Sequence, residues 1–273
     1  MRTALSSLTL LRPRNLPEAL DLMRAETPLT PLAGCTDVYV NLQFGTARET
    51  RFIDLWGIAE LRGIERDRDT IRIGALTTYS QIISSPIVRR RLPMLAAAAR
   101  EIGGRQIQNR GTLGGNIANA SPAGDSLPVL AAADATIVLL SADGERRVPF
   151  ASFFTGYRAT VRRADEIIAA VEVPRVDGKQ WWCKVGTRRA QAISKVMMAA
   201  VRGPLVRVAV GSVGPTVVRL PHTEDALSSL APVEDARRIL DREIAPIDDA
   251  RSTADYRRRV CGNLLVRFWK DTA

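Results

Sequence analysis

The chain has 273 residues, 46% of them hydrophobic, and a formal net charge of +10. That is enough chain for one large or two modest cored domains, and too apolar for disorder. No apolar run approaches bilayer length, and Met1-Arg2-Thr3-Ala4-Leu5 lacks a signal peptide's apolar core, so the reading is a cytoplasmic protein with no membrane insertion.

Leu16, Leu20 and Met23 recur at helical spacing around Pro17, a good residue for a first helical turn. A strand at 29–32 feeds a loop of small residues, Ala33-Gly34-Cys35-Thr36-Asp37. Val38, Val40, Leu42 and Phe44 continue apolar as a short helix or strand. Strands follow at 51–55 and, after an Asp-rich turn at 67–69, around Ile71 and Ile73. One helix starts near Tyr79 and another runs from Pro86 to Gly103-Gly104. Residues 128–133 read as a compact apolar helix. Residues 135–140 read as a strand, turned by Asp143-Gly144 into 146–150. Residues 165–173 form a strand that ends at Pro174, as at a domain edge. Near Val176-Asp177-Gly178 the character changes. Strand-like runs at 181–186, 194–201 and 205–213 make an antiparallel meander, and helices follow at 224–230, 233–242 and 254–269.

The strongest chemical signal is the segment from Gly111 to Asp125, GTLGGNIANASPAGD, with four glycines in fifteen residues. Glycines let a backbone approach a ligand closely and turn its N–H groups toward it. Thr112, Asn116 and Ser121 add side-chain hydrogen-bond groups. Such a loop suits a diphosphate. Asp125 suits a ribose or an amino group, and it also suits capping of the helix that follows. The loop at 33–37 has the same character, and neither loop matches a Rossmann fingerprint or a P-loop. Cys35, Cys183 and Cys261 are far apart, which argues against a metal centre or a disulfide framework. The single histidine, His222, sits in a loop-like stretch and reads as a surface residue, so histidine-dependent triads are excluded. The basic residues are arginines apart from Lys179, Lys184, Lys195 and Lys270. No aromatics interleave with them, so a base-stacking nucleic-acid surface is excluded. An arginine-rich background, or a patch for an acidic protein, remains.

In this order the motifs resemble the FAD-binding medium subunit of the molybdenum hydroxylases. That group includes bacterial xanthine dehydrogenase, carbon monoxide dehydrogenase and nicotinate dehydrogenase-type enzymes. The resemblance spans nearly the whole chain. It is carried by the two loops, by Ile73-Gly74-Ala75-Leu76-Thr77-Thr78, Asp165-Glu166-Ile167-Ile168 and Lys184-Val185-Gly186-Thr187-Arg188, and by a C-terminal run from Asp248 to Arg257. It implies an α+β fold. A two-subdomain PCMH-type α/β domain at 1–175, divided near residue 57, precedes a C-terminal domain at 176–273 of three antiparallel strands and a helical bundle.

The resemblance also implies a non-covalent FAD. Leu32, Ala33, Gly34, Cys35, Thr36 and Asp37 would wrap its diphosphate from one side, and Thr112, Leu113, Gly114, Gly115 and Asn116 from the other. Ala75 and Thr78 would line the cofactor, and Asp125 would face its ribose or adenine end. Ile168 and Lys184 would lie near the flavin ring, where an ammonium favours the reduced form. Trp181 and Trp182 are neighbours on a strand and point to opposite faces, so packing is the better reading for both than flavin stacking.

A large partner subunit would hold the molybdenum cofactor, and a small one two [2Fe–2S] clusters. Electrons would reach FAD and pass to NAD, oxygen or another acceptor, with no substrate-oxidising site in this chain. One departure stands out: the family's first loop usually has Gly-Gly where this chain has Gly34-Cys35, and cysteine takes positive φ less freely. A self-contained flavin oxidase and a non-catalytic protein with a degenerate flavin site are the competing classes.

Overall fold

The computed structural model describes residues 4–188 and 191–273. It opens with a small parallel sheet. Strands β1 (Thr9–Leu11) and β2 (Thr30–Leu32) flank β3 (Arg51–Asp54), with α1 (Leu16–Ala25) and α2 (Val38–Phe44) between them in sequence. Asn15 caps α1 by accepting from the Glu18 amide at 3.0 Å. The apolar run after the first loop is a helix, α2, with Leu42 buried and Tyr39, Val40 and Phe44 exposed.

The second sheet is antiparallel, in the order β4 (Ile64–Asp67), β5 (Thr70–Gly74), β10 (Ile167–Pro174), β6 (Thr136–Ser141), β7 (Gly144–Pro149). The strand that ends at Pro174 is therefore central. Residues 167–171 are all buried, and Pro174 only closes the ladder opposite Thr70. Between β5 and β6 lie α3 (Tyr79–Ser84), α4 (Pro86–Arg91), α5 (Pro93–Glu101), α6 (Arg105–Arg110), α7 (Leu113–Asn119) and α8 (Leu127–Ala132). The long helix expected from Pro86 is two helices. Pro93 disfavours helical geometry at Leu92, whose φ is −138°, and restarts the chain as α5. A two-stranded hairpin, β8 (Phe154–Gly156) and β9 (Ala159–Thr160), precedes β10.

The C-terminal sheet has the three expected long antiparallel strands, β11 (Lys179–Val185), β12 (Val196–Arg202) and β13 (Arg207–Gly211). A two-residue fourth, β14 (Val218–Arg219), pairs with β13. Helices α9 (Pro221–Ser228), α10 (Val233–Glu243) and α11 (Ala254–Asp271) cover one face. The other face packs on the second subdomain, with Ala199, Val201 and Ala209 in one core with Leu130 and Ala132. The adjacent tryptophans divide accordingly. Trp181 lies 5.9 Å from Phe268, centroid to centroid, in the C-terminal core, and Trp182 packs against the core of the second subdomain. Asp134 clamps the two parts together, bonding both Arg207 and Arg219 at 2.6 Å.

Candidate functional site

A cleft of about 1120 Å³ runs between the first loop, the β8–β9 hairpin, the α7 region and the C-terminal domain. Its floor begins at Gly34. A Cβ there would stand 1.8 Å from the Arg110 carbonyl oxygen, so only glycine lets this loop seat against the end of α6. Cys35 follows with φ at +61°. A side chain in that left-handed region costs about 1–2 kcal/mol. Burial pushes the Cys35 thiol above its ordinary value. The five consecutive amides from Gly34 to Val38 have no acceptor among the described residues. Unpaired amides beside a cleft form an anion-binding surface.

The second loop differs from expectation, because much of it is helix α7. Thr112 caps it, accepting from the Gly115 amide at 3.1 Å. The Leu113 amide donates to Thr77 O at 3.1 Å, Gly114 to Ala75 O at 2.8 Å, and Asn116 to Thr112 O at 3.1 Å. The donors of the first helical turn are thus spent within the chain, whereas the amides from Gly34 to Val38 are not.

Of the expected ligands, Ala33, Gly34, Cys35, Thr36, Asp37, Thr112, Gly115, Asn116, Ser121 and Asp125 line the cleft. The others stand behind its walls. Leu32 ends β2, paired with Asp54. Ala75 is buried against Gly114, whose added Cβ would meet the Ala75 Cβ at 2.5 Å. Thr78 caps α3 in a reciprocal box with Gln81. Leu113 and Ile168 are core residues.

Asp125 and Lys184 are in direct contact. Lys184 Nζ lies 2.6 Å from the Asp125 carboxylate and 3.3 Å from Glu101 O, and Ser194 Oγ donates to the same carboxylate. Their side chains are 9% and 5% exposed. Burial pushes the Asp125 carboxyl up, and the charge and hydrogen bond of Lys184, with Ser194, oppose that. The contact brings together two residues that the resemblance places apart, one toward the ribose or adenine end and one near the flavin ring. Asp125 is also no helix cap: Ser126 occupies that position, and its Oγ donates to Asn116 Oδ1 at 2.7 Å.

Sequence reasoning missed several lining residues. Tyr79 is buried in the cleft wall, with Ser126 beside its hydroxyl. Arg158, at the hairpin tip, donates to Asn119 Oδ1 at 2.6 Å. From the C-terminal domain come Ser212, Asp249, Arg251 and Arg257. The last three fall in the C-terminal motif, which had carried no role. Burial opposes it, yet Arg257 at 2.6 Å and the amides of Arg251 and Ser252 bring the Asp249 carboxyl down to about 2. His222 lies outside the cleft, exposed at the start of α9. Among the described residues, no group of histidine, cysteine or carboxylate side chains is placed to hold a metal ion. None of the helices is long and apolar enough to cross a membrane.

A deep cleft with a run of unpaired amides on its floor suits an anionic, phosphate-bearing ligand. Residues 6–176 match the family described as FAD binding domain in molybdopterin dehydrogenase, and residues 181–272 match the CO dehydrogenase flavoprotein C-terminal domain. The chain is 32% identical to the glyceraldehyde dehydrogenase medium chain of Sulfolobus acidocaldarius, over 96% of this chain and 97% of that one. It is 34% identical to the putative xanthine dehydrogenase FAD-binding subunit of Escherichia coli strain K12, over 90% and 89%. A solved carbon monoxide dehydrogenase from Hydrogenophaga pseudoflava superposes with a TM-score of 0.89 at 32% identity, covering 95% of each chain. The chain belongs to the family of FAD-binding medium subunits of molybdenum hydroxylases, and its cofactor is FAD.

Proposed function

We propose that this chain is the electron relay of a three-subunit cytoplasmic enzyme. FAD lies in the cleft, non-covalently, with its diphosphate on the amides from Gly34 to Val38. It accepts electrons from [2Fe–2S] clusters of a small partner subunit and passes them to NAD or another acceptor. Substrate is oxidised at a molybdenum cofactor in a large partner subunit. The observation that carries this reading is the run of five unpartnered amides on the floor of a cleft of about 1120 Å³.

The chain's own residues bind and orient. Gly34 allows the loop to seat on α6, and the amide run faces the anion. Ser126 holds the Asn116 carboxamide oxygen, which leaves the Asn116 amide hydrogens for the ligand. Asp125 is held in a buried ion pair with Lys184, and Asp249, itself exposed, is paired with the buried Arg257. Neither is arranged as a general base for substrate. The flavin, when bound, supplies the redox chemistry.

The test is the absorption spectrum of the purified full chain with and without Gly34→Val. Flavin bands in the wild type, none in the variant, and no oxidation of purines, aldehydes or N-heterocycles by the chain alone are expected. Retention of flavin by Gly34→Val would overturn the cleft assignment. Substrate-dependent peroxide formation by the single chain would favour the self-contained oxidase, and absence of flavin from the wild type would favour the degenerate site.

A further inference from the structure

Three described cations line the cleft, and they are not equivalent. Arg257 is ion-paired to Asp249 at 2.6 Å, and Arg251 is paired to the same carboxylate at 3.2 Å. Arg158 has no carboxylate within ion-pair distance among the described residues. Its Nη1 donates to Asn119 Oδ1 at 2.6 Å, which tethers it to the end of α7. A guanidinium carries five N–H donors, so this bond leaves most of them available.

Arg158 is also near the amide floor. Its charge reaches Asp37, where it counters part of the rise that burial imposes on that carboxyl. The floor therefore combines five amides, which carry only partial charges, with a carboxylate that repels anions. A dinucleotide diphosphate brings two full negative charges into this setting, and the amides alone do not neutralise them.

We infer that Arg158 is the counter-charge for the diphosphate of the bound dinucleotide. Tethered by Asn119, the hairpin tip supplies the one lining guanidinium, among the described residues, not committed to a carboxylate. This rests on the reading that FAD occupies this cleft.

The test is titration of the apo full chain with FAD and with riboflavin, which has no phosphate, followed by flavin fluorescence at low and high salt. Arg158→Gln should weaken FAD binding about ten- to hundredfold at low salt, the usual worth of a charge-assisted hydrogen bond. It should flatten the salt dependence and leave riboflavin affinity unchanged, while Arg158→Lys keeps most of the affinity. A general loss of structure would weaken both ligands alike and overturn the inference. If Arg158→Gln binds FAD like the wild type while Gly34→Val does not, the inference falls and the cleft assignment stands. If both variants keep FAD, the cleft assignment falls as well. Should Arg158→Gln not fold, the wild type decides: FAD affinity independent of salt overturns the inference, and affinity that falls with salt while riboflavin affinity does not supports it.

Discussion

Lys184→Met would remove an ammonium from 2.6 Å of a carboxylate that is only 9% exposed. Burial already raises the Asp125 carboxyl, and Lys184 is the largest influence opposing it. Without the lysine, Asp125 takes up a proton rather than remain charged. Keeping a carboxyl of ordinary pKa, about 3.9, protonated at pH 7 costs about 4 kcal/mol, at about 1.4 kcal/mol per pH unit. This ceiling falls within the range of about 3–5 kcal/mol for breaking a buried ion pair. The folded variant binds one proton more than its unfolded chain, so the penalty grows with pH above about 3.9 and vanishes below it. At pH 5 the ceiling is about 1.5 kcal/mol by the same arithmetic. Urea unfolding at pH 5 and pH 7 reads the difference directly. The double variant Asp125→Asn/Lys184→Met, with no charge to strand, should recover most of the loss at pH 7. A Lys184→Met variant as stable as the wild type at pH 7, or a loss of equal size at both pH values, would refute the reasoning. Proton uptake by Asp125 also offsets the lost ammonium, so at pH 7 the flavin midpoint potential should move far less than removal of a bare charge would move it.

Three further predictions come from the cleft walls. Gly114→Ala places a Cβ 2.5 Å from the Ala75 Cβ, so it should destabilise the apo chain by about 1–3 kcal/mol through overpacking; calorimetry without flavin checks this, and a loss seen only with FAD present would put Gly114 back at the phosphate. Cys35→Gly removes a side chain from φ +61° at the expense of a more flexible unfolded chain, for a net gain of about 0.5–1 kcal/mol; thermal unfolding measures it, with FAD affinity expected to stay unchanged because the amide is retained. Asp249→Asn loses an ion-paired carboxylate held at about 2, below its ordinary 3.8. The wild-type advantage should be full above pH 4 and disappear as the pH falls through about 2, which acid-unfolding curves of the two proteins would show.

The two loops were legible because their composition is unusual, and the motif order carried the family. The roles of individual residues were less legible. Glycine disfavours helix, so nothing local announced that Gly114 and Gly115 sit in α7. That helix exists because Thr112 caps it and because the amides of Leu113 and Gly114 reach Thr77 and Ala75 in another segment. Which glycine faces the cleft is decided there. Pro174 marks the end of the first domain but says nothing of the strand's place in its sheet, since a strand-terminal proline is compatible with a central strand when the missing donor falls at the end of the ladder. The Asp125–Lys184 contact joins residues far apart in sequence, and no local pattern encodes such a pairing.

That contact also explains how the cleft keeps its shape before a ligand arrives. Asp125 belongs to the FAD-side domain, while Lys184 lies on β11 and Ser194 in the segment just before β12, so the pair joins the two domains. Asp134 does the same at another point through Arg207 and Arg219, and Pro122 O accepts from the Ser212 amide at the cleft's edge. A buried ion pair is weak as a source of net stability, because desolvation offsets much of its attraction. Its geometry is demanding, however, and a small change in domain spacing would strand both charges. The penalty for misplacement makes one domain arrangement preferred, and a cleft held in that arrangement leaves less ordering to be done when the dinucleotide binds. On this account Lys184→Met should lower FAD affinity as well as stability, and Asp125→Asn/Lys184→Met, which removes the penalty for misplacement together with the charges, should recover stability more completely than affinity. Equal recovery of both would show that the pair holds the fold without setting the width of the cleft.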